Sequence, residues 1–544
     1  MSRVLRAGAI MAAGTLASRI TGLGRTIILA SAIGVASLGD AYNVAYTVPF
    51  VLFDLLMGGV LSSVIVPMIV RARKLDDDGG LAYEQRLLTL VTFVLGVVSI
   101  ATVLLAEPLI GIYATGWSQH TTEVSVTLAR FILPQIAFFG VGALAGAMLN
   151  TRDRFAAPMW APVLNNLVVI GVGITYLVIS KAGRNIDKVT DSDLMLLGLG
   201  TTAGILAQSV LLVISLRRAG FNFRPRFDLH NLRLGELGRS AVWTLTYVAI
   251  TQIGYALTTN LATKAGEISK EIGVPYGAGI TPYSYAFMLF QLPYGIIAVS
   301  VTTAMLPRMS QHAADERIDS LREEFSSGVQ LVSAVLVPSG LLLAVLGPAL
   351  SLLIFARGAV STADAIYIGQ ILQVFGLALV PFSLFQMLLR VFYSLGDTRT
   401  PAFLALGIAA FNAVLGLASF FFFPPGYAVI GLALAFAVSY TAGMAATWLL
   451  ASRRVGGLHG SRVFTVLTRM YCAAIPGGLV ALGMLWLTQA LTDLTTLSAI
   501  TMLVIGGGCS MALYLVIAHR MRIAQISSIV EGIAERMVRQ SRTK

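Results

Sequence analysis

Charged residues are scarce in this chain: they make up 12% of its 544 residues, whereas a soluble protein carries about 25%. Hydrophobic residues account for 56%, which excludes a large soluble domain. The net charge of +12 does not indicate nucleic-acid binding, because the basic residues lie in short clusters between apolar runs and form no basic domain. The composition therefore indicates a polytopic membrane protein and predicts no nucleic-acid partner.

Cysteine and histidine are nearly absent, with two and five residues. Cys472 and Cys509 both lie inside apolar stretches, which excludes a disulfide framework and a cysteine-based metal site. The histidines lie in loops or at the ends of apolar runs, without metal-ligand spacing. The acidic run 76–78 lies in a short loop beside basic residues, and we interpret it as solvated. The sequence contains no glycine-rich phosphate loop and no nucleophile constellation, so we predict no catalytic residue, no metal and no cofactor.

Long apolar runs are abundant. A membrane-spanning helix needs about 20 mostly apolar residues, and fourteen runs meet this requirement. They lie near residues 5–35, 38–70, 87–106, 127–150, 158–180, 194–216, 240–262, 281–306, 327–355, 365–393, 401–422, 426–451, 466–490 and 496–518. The first run resembles a signal peptide, but it continues without a clear cleavage site, so we predict a retained helix.

The lysines and arginines predict the orientation in the membrane. With the N-terminus inside, the cytoplasmic segments hold 28 of them and the opposite side holds six. Short cytoplasmic loops carry an excess of lysine and arginine. We therefore predict that both termini are cytoplasmic. The tail after the last run mixes basic residues with isoleucine and valine at helical spacing, which predicts an amphipathic helix on an anionic membrane surface.

A weak internal repeat divides the chain. VLSSVIVPM at 60–68 resembles SVTTAMLPR at 300–308, and LNTRDRFAAP at 149–158 resembles YSLGDTRTP at 393–401. Both pairs share an offset near 240 residues, which spans six helices, so the two halves have the same orientation, as in transporters with parallel repeats. We predict an all-α polytopic membrane protein with two pseudo-symmetric six-helix lobes plus two C-terminal helices. The predicted divisions are an N-lobe at 1–235, a C-lobe at 236–455, the two additional helices at 456–520 and the cytoplasmic tail at 521–544.

Two arginines, Arg19 and Arg25, lie inside the first apolar run. A charge in a membrane helix costs about 2.5–3.5 kcal/mol on insertion scales, and such residues almost always face a protein-lined, watery cavity. The guanidinium fork also matches phosphate oxygens. The two residues are about 120° apart on an ideal helix, and a kink at Gly22 and Gly24 would turn both towards one cavity. We predict anion contact by both arginines and a hinge at the two glycines.

Other interpretations of these charges stay open. One or both arginines snorkel to an interface, or they pair with Asp40 and Asp54 in the second run. Asp54 alternatively binds a proton or a cation. Asp40 and Asp54 are also candidate substrate contacts. For Asp40 the alternative is a structural role at a helix end, because acids favour helix N-termini.

Weaker candidates for a polar cavity lie in later runs. Arg390 in the tenth run either snorkels or lines the cavity. Asn165 in the fifth run and Gln291 in the eighth are candidate contacts for a sugar, as are Asn166 and Gln252. Hydrogen bonding between helices is the default role for such amides.

Several motifs together resemble the MurJ/MviN family of lipid II flippases, within the multidrug and lipid-linked oligosaccharide exporter superfamily. They are SRITGLGR, LGDAYNVAYTVP, AGAMLNTRDRFAAPMWAP, QLPYGIIAVSVTTAMLPRMS and FYSLGDTRTP, and FDLLMGGVLSSVIVP looks like the actinobacterial branch. The resemblance implies a bacterial cytoplasmic-membrane protein. It implies movement of lipid II, the undecaprenyl-diphosphate-linked peptidoglycan precursor, to the outer leaflet by alternating access. It also implies a groove for the lipid tail at the last two helices.

The chain departs from the family pattern at three positions. Phe53 and Met288 stand where the family has further arginines, and Gly58 stands at an acidic position. Some family members also have a sodium site in the second lobe that uses an acid in the seventh helix, and this chain has no acid there. The coupling ion (H⁺ or Na⁺) or use of the membrane potential therefore stays open.

Alternative functions and partners follow from these departures. The chain exports another polyprenyl-linked glycan or amphiphile, or it is a non-transporting scaffold for cell-wall synthesis proteins. An enzyme acting on polyprenyl diphosphates would need an acid cluster at the membrane surface, and only the run at 76–78 offers one. Actinobacterial relatives can continue into a kinase-like cytoplasmic domain, which is a possible partner C-terminal to this chain.

Overall fold

The protein is described by a computed structural model that covers residues 3–58, 65–228, 239–491 and 494–527. These residues form α-helices joined by short turns, and no β-strand occurs among them. The all-α architecture predicted from the apolar runs is therefore confirmed.

The described residues of the first half of the chain form ten α-helices. They are α1 (Arg3–Ile33), α2 (Ser37–Phe53), α3 (Val66–Leu75), α4 (Leu81–Leu104), α5 (Ala106–Tyr113), α6 (Gln119–Ile132), α7 (Gln135–Asn150), α8 (Ala156–Ile179), α9 (Asp191–Arg218) and α10 (Arg239–Glu271). A π-helical turn at Asp54–Gly58 continues α2. The short helix α5 was not predicted, because eight residues are too few for a membrane span.

The second half forms nine α-helices. They are α11 (Ile280–Pro293), α12 (Val299–Ala314), α13 (Ile318–Phe355), α14 (Thr362–Ser394), α15 (Arg399–Phe422), α16 (Pro425–Val455), α17 (Gly460–Leu491), α18 (Thr496–Thr501) and α19 (Gly508–Arg520). Two π-helical turns, Tyr294–Ala298 and Met502–Gly507, join α11 to α12 and α18 to α19.

Twelve helical segments within the described residues are long and apolar enough to cross a membrane. Each of the fourteen predicted apolar runs contains a helix. The run at 38–70 is not among the twelve because residues 59–64 lie outside the described part of the chain. The run at 240–262 is also not among them, because α10 is rich in threonine and tyrosine.

Two compact units make up the chain. The first comprises Met1–Gly273 with Gly279–Thr281 and Arg357–Val360, and the second comprises the remaining residues. Helix α10 belongs to the first unit, where Thr263 Oγ1 donates to the Tyr113 carbonyl at 2.8 Å. The predicted lobe division between 235 and 236 stays a prediction, as does the predicted amphipathic tail, of which residues 528–544 lie outside the described part.

Close approach of small residues organises the first unit. Helix α8 packs between α1 and α9. A Cβ added at Gly173 would lie 2.7 Å from Ile28 of α1, and one at Gly204 would lie 2.4 Å from Asn165 Oδ1. Small residues let membrane helices approach closely where apolar burial alone offers no driving force. This packing places the polar face of α1 against α8.

Aromatic side chains fill the second unit between α11, α14 and α16. The cluster consists of Phe287, Phe290, Phe375, Phe382, Phe436 and Tyr440, with neighbouring ring centroids 4.4–5.9 Å apart. Edge-to-face and offset pairs at such separations add to the stability that burial provides.

Candidate functional site

Helix α1 carries the two arginines and runs unbroken through Gly22 and Gly24. Asn166 of α8 fixes one face of it: its Nδ2 donates to the Ser18 carbonyl at 3.2 Å and to Thr21 Oγ1 at 3.0 Å. Asn166 therefore has the helix-joining role that was the default for such an amide. The proposed hinge at the glycines stays a prediction.

Arg25 is half-buried against α2. Its guanidinium carbon lies 4.8 Å from the centroid of the Tyr46 ring, within the range of a cation–π interaction. Tyr46 stacks on Tyr42, and the Tyr42 hydroxyl is 2.7 Å from Thr201 Oγ1 on α9. These two tyrosines were not among the predicted site residues, although their four-residue spacing in a helix places both rings on one face.

Arg19 lies on an exposed face of α1. Among the described residues, none forms a hydrogen bond or ion pair with its guanidinium. The two arginines thus differ: Arg25 is oriented by an aromatic ring, whereas Arg19 is open to a ligand.

Asp40 is buried at the start of α2. Its Oδ1 accepts hydrogen bonds from the Thr281 backbone N–H at 2.8 Å and from Thr281 Oγ1 at 2.6 Å. Thr281 lies in the first turn of α11, so the carboxylate satisfies an amide that has no partner within its own helix. These hydrogen bonds are compatible with a structural role at a helix end, and ligand contact by Asp40 stays a prediction.

Asp54 opens the π-helical turn after α2 and is half-buried. Its Oδ2 accepts a hydrogen bond of 2.7 Å from Gln252 Nε2 on α10. The two acids of the second run thus bond to neutral groups, and neither forms a salt bridge with an arginine in the described part of the chain. The π-helical turn is itself notable, since such turns occur often at functional sites.

The weaker candidates occupy different surroundings. Arg390 of α14 lies 5.7 Å from the Tyr393 ring, and its buried Nε has no hydrogen-bond partner. Asn165 is buried, and its Oδ1 also lacks a partner. Gln291 of α11 is half-buried and forms no hydrogen bond within the residues described. Unsatisfied buried polar atoms are uncommon and need an explanation, such as a bound water or ligand.

Apolar side chains occupy the positions at which further family arginines were expected. The Phe53 ring stacks on Phe139 of α7 with centroids 5.4 Å apart. Met288 is half-buried on α11. The cationic character of the first unit's candidate site therefore rests on α1.

No metal centre occurs in the described part of the chain, where no three His, Cys, Asp or Glu side chains group closely enough to hold an ion. In the acidic loop, Asp76 and Asp77 are exposed, and Asp78 accepts hydrogen bonds from the backbone N–H groups of Gly80 and Ala82 at 2.9 and 2.7 Å. Asp78 thus stabilises the first turn of α4.

Comparison with known proteins decides the family. The profile of the family described as lipid II flippase MurJ matches residues 29–503. The chain belongs to the MurJ family. A probable lipid II flippase MurJ of Rhizobium meliloti is 27% identical over 538 residues, covering 96% of this chain and 95% of that protein. The corresponding protein of Thermotoga maritima is 28% identical over 434 residues, covering 79% and 82%.

Solved structures of MurJ and its wider superfamily share the fold. A lipid II flippase MurJ in an inward closed conformation has a TM-score of 0.72 at 19% identity, covering 94% of this chain and 99% of that one. An inward-facing multidrug MATE-family transporter of the MOP superfamily has a TM-score of 0.60 at 13% identity, covering 81% and 96%. The chain is thus a multi-pass membrane protein with the fold of a transporter superfamily.

Proposed function

We propose that this chain moves lipid II from the inner to the outer leaflet of the bacterial cytoplasmic membrane by alternating access. The observation that carries the proposal is the match of the MurJ profile to residues 29–503, which includes Asp40, Asp54 and most of the apolar runs. The 28:6 distribution of basic residues supports cytoplasmic termini. The protein carries out transport without covalent chemistry, so it is not an enzyme.

The chemistry of α1 suits a lipid-linked diphosphate. Such a headgroup keeps its charge in the membrane only where fixed donors replace water. Arg19 is open, and Arg25 is held by the Tyr46 ring at 4.8 Å. Arginine binds phosphate oxygens through two parallel N–H donors. We assign the main diphosphate contacts to these two residues, because Phe53 and Met288 occupy the positions of the other expected arginines.

Three further polar groups suit the sugar and peptide parts of the headgroup. Asn165 Oδ1 and Arg390 Nε are buried without partners, and Gln291 has a free amide. Each would gain hydrogen bonds on contact with a polar headgroup. Asp40 and Asp54 already accept hydrogen bonds from protein groups and are assigned positioning roles.

Complementation tests the proposal directly. In a bacterium depleted of its own MurJ, this chain should restore outward movement of lipid II, measured by labelling lipid II separately in each leaflet. We expect Arg19→Ala and Arg25→Ala each to slow the movement at least tenfold, because a hydrogen-bonded charge contact contributes about 1.5–3 kcal/mol.

The matched control is Arg130→Ala, which removes an exposed arginine at the end of α6 and should leave the rate unchanged. Wild-type rates in both α1 variants would refute the assignment of the diphosphate contacts. Unchanged leaflet distribution with and without the chain would refute the flippase function itself.

A second substrate class is favoured by one observation. Phe53 stacks on Phe139 where the family has an arginine, so the anion site has fewer cations than its relatives. This change would suit another polyprenyl-linked glycan. Competition for the purified protein between lipid II and polyprenyl diphosphates with other headgroups separates the two: equal binding of all headgroups favours the broader exporter, and preference for lipid II excludes it.

A further inference from the structure

A cavity lies away from α1, at the turn between α7 and α8. It has a volume of about 360 Å³ and is lined by Leu149, Asp153, Arg154, Phe155, Ala156, Ala157, Ser215, Arg218 and Ala219. Pockets that bind small ligands begin near 300 Å³. Its lining combines two arginines, one aspartate and a serine with apolar side chains, so it suits an amphipathic molecule better than a small hydrophilic ion.

Both arginines of the cavity have available donors. Arg154 and Arg218 are exposed, and neither side chain forms an ion pair or hydrogen bond within the described residues. Asp153 also lines the cavity, which leaves a net charge of +1 from two arginines and one aspartate. An anion of at least one charge is therefore the matching ligand, and guanidinium groups favour phosphate oxygens.

A hydrogen-bond network holds the α7–α8 turn in place beside the cavity. Arg152 forms a buried ion pair with Glu84 of α4, with Nη1 to Oε1 at 3.0 Å, and its side chain and that of Glu84 are 13% and 0% exposed. Arg73 of α3 donates to the carbonyl and hydroxyl oxygens of Thr151. The backbone that presents Arg154 is therefore fixed before any ligand binds, which lowers the entropic cost of binding.

The surroundings indicate the headgroup level of a membrane. Arg217 and Arg218 end α9, and Trp160, one turn into α8, is 42% exposed. Tryptophan is enriched at the membrane–water interface, where basic residues also accumulate on the cytoplasmic side. A phospholipid at this level would place its phosphate at the arginines and the start of its acyl chains beside Leu149 and Phe155.

We propose that the cavity at the α7–α8 turn binds the phosphate headgroup of an anionic phospholipid of the cytoplasmic leaflet, through Arg154 and Arg218. The site is separate from the arginines of α1 and is independent of which substrate the protein transports. Binding there stabilises the α7–α8 turn by joining it to the end of α9.

Native mass spectrometry of the full-length protein in mild detergent tests this proposal with phosphatidylglycerol as the probe. We expect one saturable phosphatidylglycerol per protein and much weaker binding of phosphatidylcholine with the same acyl chains. Arg154→Gln and Arg218→Gln should each weaken the binding at least tenfold, the effect of losing one charge-assisted hydrogen bond to the phosphate, and the double variant at least 100-fold.

Arg217→Gln is the matched control, because it removes the same charge from the same turn but does not line the cavity. We expect a smaller loss of binding than at either cavity arginine, of at most about fivefold, which is the diffuse effect of one basic residue near an anionic lipid. Ala157→Leu keeps both arginines and fills the cavity, and it should also weaken binding. Both variants alter exposed or half-buried positions, and their melting temperatures verify folding.

Four outcomes would overturn the proposal. If Arg217→Gln loses as much phosphatidylglycerol binding as the cavity variants, the lipid is held by diffuse electrostatic attraction to the basic surface. If Ala157→Leu binds phosphatidylglycerol as wild type does, the cavity is not the binding site. If inorganic phosphate at the same concentration displaces phosphatidylglycerol, the cavity is a site for a soluble anion. If undecaprenyl diphosphate displaces phosphatidylglycerol, and the variant with both Arg154→Gln and Arg218→Gln no longer flips lipid II, the cavity contacts the transported substrate. Flipping by the double variant at the wild-type rate supports the proposal, and it keeps this test distinct from that of the proposed function.

Discussion

Asp54 Oδ2 accepts a hydrogen bond of 2.7 Å from Gln252 Nε2, which joins the π-helical turn after α2 to α10. A half-buried carboxylate in a membrane protein needs a donor. Here the donor is a neutral amide, and no arginine within the described residues forms an ion pair with Asp54. The first unit therefore contains a fixed acid close in sequence to Phe53, the position where an arginine was expected.

Replacing Gln252 by leucine should destabilise the protein. The change removes the donor and leaves the carboxylate unsatisfied, which costs about 1–3 kcal/mol when buried; the partial exposure of Asp54 places the expected loss near 1 kcal/mol. Thermal unfolding of the purified protein in detergent measures the change.

Gln291→Leu is the control for this prediction, because Gln291 forms no hydrogen bond in the part of the chain that is described. An equal drop in melting temperature for both variants would show that the Asp54–Gln252 bond contributes nothing specific.

The buried ion pair between Glu84 and Arg152 should be essential for stability as a pair. Breaking a buried pair leaves one charge uncompensated and costs about 3–5 kcal/mol. We therefore expect Arg152→Met or Glu84→Leu to lower the unfolding free energy by that amount. The double variant should regain much of the loss, because it removes both charges together. A double-mutant cycle by thermal unfolding measures the coupling.

The exposed pair Asp315–Arg317 provides the comparison, since its side chains are 46% and 53% exposed. Surface pairs contribute about 0–1 kcal/mol. A double variant at Glu84 and Arg152 that is less stable than either single variant would contradict the expected coupling.

The helices could be predicted because the membrane imposes a length and an apolar composition on each span. Interruptions of the helix within a span could not be predicted, because hydropathy carries no information about the register of backbone hydrogen bonds. The π-helical turns at Asp54–Gly58 and Tyr294–Ala298 lie inside runs that read as continuous helix. The lobe boundary was predicted from a weak repeat in the sequence, and it stays a prediction.

The site was predictable only in part. Arg19 and Arg25 stand out because charge is rare in an apolar run. The hydrogen-bond partners of the two acids cannot be recognised in the sequence in this way, because Gln252 is 198 residues from Asp54 and Thr281 is 241 residues from Asp40. Local pattern cannot indicate which distant helix supplies a donor, so the interpretation of these acids required tertiary structure.

Asp397, in the turn before α15, should make stability depend on pH. Burial opposes its ionisation, but hydrogen bonds from Thr400 N–H and Oγ1 at 3.0 and 2.7 Å, and from the Arg399 N–H, outweigh it and lower the pKa of Asp397. A depressed folded-state pKa gives stabilisation that is present above the unfolded value of 3.8 and is lost as the pH falls through the folded-state value.

We expect Asp397→Asn to melt below wild type at neutral pH and to approach it only as the pH falls below 3.8 and through the lowered folded-state pKa. Asp77→Asn is the control, because Asp77 is exposed and forms no such bonds. A stability gap between Asp397→Asn and wild type that is independent of pH would refute the role of ionised Asp397.

Gly279 should tolerate no side chain. A Cβ at this position would lie 1.8 Å from Asp40 Oδ2, so Gly279→Ala must displace the carboxylate from Thr281. Losing the two hydrogen bonds that this buried carboxyl group accepts should cost about 1–3 kcal/mol. Gly407→Ala in α15 is the control, since nothing lies within 4 Å of its added Cβ. Equal melting temperatures for the two variants would mean that Asp40 relaxes without cost.

The hinge hypothesis for α1 can be separated from packing. A Cβ at Gly22 would lie 3.5 Å from Asn166 Nδ2, and one at Gly24 would lie 3.8 Å from Ile170; both are ordinary contacts. Alanine also favours helix by about 1 kcal/mol over glycine. Gly22→Ala and Gly24→Ala should therefore fold at least as stably as wild type.

If α1 must bend during transport, both variants should nevertheless flip lipid II more slowly, because alanine stiffens the helix. Gly171→Ala in α8, with open space around its Cβ, should flip normally, and wild-type rates in all three variants would exclude a hinge at these glycines.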